Sequence, residues 1–137
     1  MKIGGKIWKS RKDNFWLAEI PLLDLVTQAE TKEELSEMVK DAIELLVDDN
    51  TFFAEVALSN NNLFIDSNDT KKLIALILKR QRQKRSLRLE EVASQLKAKS
   101  INEYAQYEQG KHLPSIEKLE QLLKAIDPAL MPFISLR

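Results

Sequence analysis

The chain has 137 residues, with 21 basic and 21 acidic side chains, one histidine and no cysteine. This length suits one ordinary domain or two small ones. Without cysteine, a disulfide framework, a zinc–cysteine site and a thiol nucleophile are excluded. The sequence has neither an apolar run of about 18 residues nor the apolar core of a signal peptide, so we expect a cytoplasmic protein with no membrane partner.

Charge is divided unequally along the chain. Residues 1–69 carry 7 basic and 14 acidic side chains, a net of −7, and residues 70–137 carry 14 basic and 7 acidic, a net of +7. Such asymmetry indicates two surfaces with different partners. The basic half suits a polyanion such as duplex DNA, whose phosphates supply most of the non-specific affinity of DNA-binding proteins.

The first half has the alternating apolar pattern of an antiparallel sheet. Strands are predicted at residues 2–9, 15–20, 25–29, 51–58 and 63–66. Gly4-Gly5 indicates a bulge in the first strand. One helix, capped by Thr31 and running to about Val47, has an apolar stripe of Leu35, Met38, Val39, Ala42, Leu45 and Leu46. The helix is expected to cover one face of the sheet.

The second half has the period of α-helices. A helix is predicted from Lys71 to about Arg85, with a basic run that is either a solvated face or a phosphate-binding one. The last helix is capped by Ser115 and buries Ile116, Leu119, Leu122, Leu123 and Ile126. The tail, residues 128–136, holds five large apolar residues that either pack on the domain or join two copies. The expected fold is therefore α+β, a small sheet with one packed helix followed by an all-α domain.

Two short helices lie between these longer ones. The first has Leu89, Val92, Ala93 and Leu96 at spacings of three and four. After the turn Lys97-Ala98-Lys99, Ser100 and Glu103 form the pattern of a capping box, and Gly110 ends the second helix. Short helices around a tight turn are the plan of a helix-turn-helix, whose second helix enters the DNA major groove. The plainer alternative is a helix pair that only packs.

A pattern across about residues 70–127 supports the first alternative. It comprises Tyr107-Glu108-Gln109-Gly110-Lys111, Pro114-Ser115, Leu119, Leu122 and Leu123, preceded by Arg82, Leu87 and Glu90-Glu91-Val92-Ala93. These residues resemble a Xre/Cro-type repressor domain. The resemblance implies a helix-turn-helix that binds double-stranded operator DNA.

A second pattern covers about residues 1–66. It comprises Trp16-Leu17-Ala18-Glu19-Ile20-Pro21, Val26-Thr27-Gln28, Thr31 and Glu33-Glu34-Leu35. These residues resemble the N-terminal domain of HicB-type antitoxins, a family in which this domain recurs next to a Xre-like one. The resemblance implies domains at 1–66 and 67–137. It further implies a HicA-like RNA-cutting toxin as partner of the first domain, and repression of the operon by the second domain as a homodimer or higher homo-oligomer.

The predicted DNA-binding residues fall into two groups. The base-contacting group is Lys99, Ser100, Ile101, Asn102 and Gln106, in which the two carboxamides lie four residues apart and can bond adenine N6 and N7. The phosphate-contacting group is Arg82, Arg88, Lys97, Tyr107 and Lys111. For the amides the plainer alternative is a solubilising role. For Tyr104 and Tyr107 it is packing, with hydroxyls that reach the domain edge.

Catalytic patterns are scarce. His112 is the only histidine, and no phosphate-cradling glycine motif occurs. Asp24, Asp41 and Asp66 could in principle gather around a magnesium ion, but their spacing does not call for one. An enzyme with an RNase H-like sheet is a further alternative, disfavoured because the sequence has no convincing carboxylate cluster. We therefore predict no enzyme activity, no metal and no cofactor. The main rival is a stand-alone transcriptional regulator whose first domain senses a small ligand in an apolar pocket between sheet and helix.

Overall fold

The computed structural model describes residues 1–98, 100–132 and 134–136. The chain forms two compact units: residues 1–69 together with the tail at 134–136, and residues 70–132. The boundary expected from the sequence lies at residue 66 and keeps the tail with the second domain. The first unit holds an antiparallel sheet with one helix and the second holds four helices, which confirms the predicted α+β class.

The sheet of the first unit is antiparallel throughout. Its strands are β1 Lys2–Lys9, β2 Trp16–Ile20, β3 Leu25–Ala29, β4 Ala54–Ser59, β5 Asn62–Ser67 and β6 Ile134–Ser135. The order is β3-β2-β1-β5-β4, and β6 pairs with the beginning of β1, with Ile134 opposite Ile3. The end of the tail, Ile134–Ser135, therefore adds a short strand to the first unit, an arrangement that its sequence did not reveal, whereas Met131 and Leu136 are 91% and 66% exposed.

The glycines of β1 lie in regular pairing. Gly4 is opposite Phe64 and Gly5 is opposite Leu63, one residue for one, so the predicted bulge is absent from the pairing with β5. A Cβ atom added at Gly5 would lie 2.5 Å from the main-chain oxygen of Glu19. Gly5 is therefore explained by the close approach of a neighbouring backbone, the other common reason for glycine inside a strand.

One helix, α1 Lys32–Val47, packs against the sheet through contacts with β2, β3 and β4. Thr31 caps it as predicted, because its hydroxyl accepts a hydrogen bond of 3.1 Å from the Glu34 N–H. The predicted stripe was wrong at Met38 and Leu45, which are 47% and 77% exposed. The sheet covers only a narrow line of the helix at spacing four, Leu35, Val39 and Ile43.

The second unit is built from four helices. They are α2 Thr70–Lys84, α3 Leu89–Gln95, α4 Ile101–Glu108 and α5 Ile116–Ile126. Helix α4 packs on α2 and α3, and α5 packs on the same two helices. Ser115 caps α5 as predicted, but Ile116 is 67% exposed and not part of the core. No helix in the described part of the chain has the length and apolarity needed to cross a bilayer.

Helices α2, α3 and α4 end in the same way. At the end of α4, Gly110 has φ +73° and the Lys111 N–H donates to the Gln106 carbonyl at 3.0 Å. This is a Schellman motif, in which a left-handed residue lets the next N–H reach back. Ser86 and Lys97, with φ +54° and +55°, occupy the same position after α2 and α3. The predicted stop at Gly110 is confirmed, whereas the other two stops use residues for which this conformation is unfavourable.

The start of α4 differs from the prediction. Ser100 is its N-cap residue, but the Ser100 side chain makes no capping hydrogen bond, and the Glu103 N–H donates to the Ser100 main-chain oxygen at 3.2 Å. Both residues are exposed, so water can satisfy the remaining backbone donors. In a capping box, the glutamate three residues after the N-cap accepts a hydrogen bond from the N-cap N–H. This bond occurs at α3, where the Glu91 carboxylate accepts from the Arg88 N–H at 3.0 Å. Lys99, in the predicted turn, lies outside the described residues.

Replacement of the left-handed residue between α3 and α4 tests this account. Lys97→Gly is expected to raise the free energy of unfolding by about 0.5–1 kcal/mol, because glycine adopts positive φ without a Cβ clash. The measurement is urea denaturation followed by circular dichroism. Ser94→Gly, at an exposed right-handed position of α3, is the matched control and should destabilise by about 0.5 kcal/mol. Destabilisation by Lys97→Gly would contradict the assigned conformation.

Candidate nucleic-acid interface

The second short helix, α4, has one buried and one exposed face. Tyr104 and Ala105 are 1% and 6% exposed and pack inside the unit. Asn102 is exposed and Gln106 is half-buried one turn later. Since residues four apart are neighbours on a helix surface, the two carboxamides lie on adjacent turns of one side, as the sequence predicts.

The beginning of α4 is its most accessible part. Ser100, Ile101 and Asn102 are all exposed, and Ile101 retains 43% exposure although it is a large aliphatic residue. In helix-turn-helix proteins the N-terminal residues of the second helix contact base edges. The structure thus places three of the five predicted base-contacting residues at the beginning of α4 and the fourth, Gln106, one turn later. The fifth, Lys99, is outside the described part of the chain.

Arg82 has a different environment from the one expected for a phosphate contact. Its Nε donates to both carboxylate oxygens of Glu108, at 2.9 and 3.1 Å, and its Nη2 donates to Oε1 at 2.7 Å. Its Nη1 donates to the Leu87 carbonyl at 2.9 Å. The two side chains are only 16% and 8% exposed. Hydrogen bonding to Glu108 raises the pKa of Arg82, and the guanidinium ties the end of α2 to the end of α4.

Tyr104 lies beside this ion pair and not at the domain edge. The residue is 1% exposed, and its hydroxyl oxygen is buried with no hydrogen-bond partner in the described structure. Burial, followed by the negative charge of Glu108, raises the pKa of the phenol. Tyr104 is therefore a core residue through which α4 packs against the rest of the unit. The expectation from the sequence that its hydroxyl reaches the surface was wrong.

The remaining predicted phosphate contacts lie at the surface. The Arg88 side chain is 73% exposed and forms ion pairs with Glu90 at 3.5 Å and Glu91 at 3.1 Å. Exposed ion pairs are weak in water, so this guanidinium can exchange a carboxylate for a phosphate. Lys97 and Lys111 are exposed and follow the ends of α3 and α4.

Tyr107 occupies a more enclosed position on α4. Tyr107 is half-buried. The His112 ring lies edge-on to the Tyr107 ring at a centroid distance of 6.3 Å, and the Lys118 Nζ lies 5.9 Å from the centre of the Tyr107 ring. The phenol of Tyr107 therefore lies beside His112 and the basic side chain of Lys118. Hydroxyls of this kind are common phosphate contacts in DNA-binding proteins.

The candidate metal-ligating side chains are spread over the described part of the chain. Among the described residues, no three His, Asp or Glu side chains are placed to hold a metal ion. The three carboxylates considered for a magnesium ion lie on or next to separate elements: Asp24 follows a short 3-10 helix, Asp41 is on α1 and Asp66 is on β5.

Sequence reasoning did not identify the ion pair that anchors α4, although a signal for it exists. Arg82 continues the buried line of Ile74 and Leu78 on α2 at spacing four, and Glu108 follows Tyr104 at the same spacing on α4. A basic and an acidic residue that each extend an apolar stripe are candidates for pairing inside the core, because a lone buried charge is costly.

Comparison with known proteins bears on the second unit. Residues 74–127 match a protein-family model described as a helix-turn-helix domain. The matched range begins within α2, contains all of α3, α4 and α5, and ends just after α5. No curated protein matches the chain. The match supports the predicted helix-turn-helix part, while the resemblance of residues 1–66 to HicB antitoxins stays a prediction.

A double-mutant cycle tests the anchoring role of the buried ion pair. Arg82→Ala and Glu108→Ala should each lower the free energy of unfolding by about 3 kcal/mol, because each leaves a charge buried without its partner. The double variant should lose clearly less than the sum of the two. Chemical denaturation of the full chain gives the four values.

The control is the Lys124–Glu120 pair of α5, which has the same 2.7 Å separation but side chains that are 63% and 62% exposed. The same cycle on this pair should give a coupling too small to resolve, because solvent screens it. Equal coupling in the two cycles would show that burial of the Arg82–Glu108 pair does not determine its effect.

Proposed function

We propose that this protein is a sequence-specific DNA-binding regulator whose helix α4 enters the major groove of duplex DNA. The observation that carries the proposal is the exposed start of α4 at Ile101 and Asn102, on a helix whose opposite face is fixed in the core. The match of residues 74–127 to a helix-turn-helix domain supports it. So does the net charge of +7 on residues 70–137, since phosphate neutralisation supplies much of DNA affinity.

We propose the base-contacting and phosphate-contacting groups that the sequence predicts, except that Arg82 leaves the phosphate-contacting group. Lys99, Ser100, Ile101, Asn102 and Gln106 contact bases, and Arg88, Lys97, Tyr107 and Lys111 contact phosphates. Arg82 positions α4 from inside the unit, because Glu108 and Leu87 already engage its guanidinium. Two such units in a homodimer would present their recognition helices to half-sites about 34 Å apart.

Salt dependence separates the two groups of contacts. Binding of the full chain to its own upstream DNA should weaken steeply with salt, with a slope of about −0.9 per phosphate neutralised. Lys97→Gln and Lys111→Gln should each reduce this slope for specific and random duplexes alike. Asn102→Ala should weaken only the specific complex and leave the slope unchanged. Fluorescence anisotropy across a salt series provides these slopes.

Lys12→Gln, at an exposed turn of the first unit, is the control and should change nothing. A salt slope near zero for the unaltered chain would contradict electrostatic docking on DNA.

For the first unit we propose the antitoxin role that the HicB resemblance implies, with the whole chain acting in the cytoplasm. In this role the unit neutralises a small, basic, HicA-like RNA-cutting toxin, and the second unit represses the shared operon. The net charge of −7 on residues 1–69 supports a basic partner, because complementary charge speeds and orients encounter.

A groove on the first unit has the properties that such a partner requires. It measures about 610 Å³, and Phe15, Ala29 and Met38 form its apolar part. Its other lining residues are mostly acidic: Gln28, Glu30, Glu33, Glu34 and Glu37. The groove adjoins the end of β3, which lies at the edge of the sheet with β2 as its only neighbour among the described strands. An edge strand can accept an extended segment of a partner through main-chain hydrogen bonds.

Co-expression with the small open reading frame next to the gene tests the antitoxin role. The full chain should rescue growth from that product and co-purify with it. Glu33→Lys combined with Glu37→Lys should abolish both effects and leave DNA binding intact, because the reversed charges repel a basic partner. Glu55→Lys, an equally exposed change on β4, should preserve both. A non-toxic neighbour, or no complex with it, would remove the antitoxin role without touching DNA binding.

One observation favours the rival, a regulator that senses a small ligand. A cavity of about 480 Å³ is lined by the aromatic residues Trp8 and Phe64 and by polar groups of Lys6, Glu19 and Asn62. It lies on the face of the sheet that carries Lys6 and Trp8, opposite the face of buried Ile3 and Ile7, and not between sheet and helix as the sequence suggested. Intact DNA binding without a protein partner would leave this rival as the better account.

A further inference from the structure

The chemical groups that α4 can offer to a base edge form a restricted set. Its eight residues, Ile101 to Glu108, contain no lysine and no arginine. The residues exposed in its first turn are an aliphatic one, Ile101, a carboxamide, Asn102, and a carboxylate, Glu103. The next turn on the same side adds the half-buried carboxamide of Gln106.

Two of these groups match the bases of an A·T pair in the major groove, whereas the carboxylate of Glu103 matches the N4 amine of cytosine. Arginine and lysine, the usual readers of guanine O6 and N7, are missing from α4, and the proposed base contact Lys99 precedes the helix. A carboxamide matches adenine, since it can accept from N6 and donate to N7 at once. An aliphatic side chain finds a counterpart in the thymine methyl group, the apolar group that a base pair presents there.

We propose that α4 reads A·T base pairs, with Ile101 packed on a thymine methyl group and Asn102 bonded to adenine. The DNA class that this protein selects is then a half-site with an A·T-rich centre. The inference rests on the proposed DNA-binding function and adds the identity of the bases. Ile101 carries the more specific part, because its side chain is 43% exposed and contact with a methyl group would remove part of this aliphatic surface from water.

The test begins with selection of binding sites from random duplexes by the full chain. The selected core should be rich in A·T pairs. Each thymine of the selected site is then replaced by deoxyuridine, which removes only the methyl group. The unaltered protein should lose about 3- to 5-fold in affinity at one position, and Ile101→Ala should show no loss there. Ile101→Val, which keeps an aliphatic surface, should retain part of the sensitivity.

The adenine contact is tested in the same way. Replacement of adenine by 7-deazaadenine removes the N7 acceptor and preserves base pairing. The unaltered protein should lose about 10-fold at one position, and Asn102→Ala should be indifferent to the change. Glu117→Gln, an exposed substitution on α5, is the control and should respond like the unaltered protein.

The outcomes distinguish a failure of A·T reading from a failure of the proposed DNA-binding function. A selected core rich in G·C pairs, or equal affinity for thymine and deoxyuridine at every position, would overturn A·T reading and leave sequence-specific DNA binding in place. Failure to select any sequence would instead reject the proposed function. Coupling of Ile101 to one methyl group and of Asn102 to one N7 atom would establish both.

Discussion

In the second unit, the buried ion pair between Arg82 and Glu108 joins the end of α2 to the end of α4. Helix α4 has eight residues, a length at which an isolated helix is unstable in water. It persists because Tyr104 and Ala105 pack in the core and because the guanidinium holds the last residue of the helix. Because these contacts involve the inner face and the last residue of α4, its first turn remains exposed. The proposed reading of bases needs such a rigid support, since side chains on a mobile helix could not keep the geometry of paired hydrogen bonds.

Opposite charge gives the two units different roles in the proposed function. The basic unit offers exposed cations at the ends of α3 and α4, where they can meet phosphates. The acidic unit offers an apolar groove with a rim of carboxylates beside β3, an edge strand in the described sheet. Each surface is suited to partners of opposite charge, and the chain as a whole has a formal net charge of zero. A protein that represses its operon and neutralises a basic partner would need both surfaces.

Local patterns predicted most of the elements, whereas long-range contacts accounted for the errors. Alternation and capping located the strands and helices, because burial of one face imposes a period on the sequence. The ends of α2 near Arg85 and of α3 before Lys97 were predicted, but the left-handed conformation of Ser86 and Lys97 was not, because neither residue is a glycine. The pairing of β6 with β1 joins distant parts of the chain, and no local pattern encodes it. Arg82 was assigned to phosphate because its partner, Glu108, is 26 residues away.

The most direct test of the central claim is a titration of the full chain with its upstream duplex, followed residue by residue through the amide resonances. The account predicts the largest shifts at Ile101, Asn102 and Gln106, with smaller ones near Lys97 and Lys111 and almost none in the sheet. Large shifts confined to the first unit, or an α4 that stays unchanged as the duplex is bound, would contradict it.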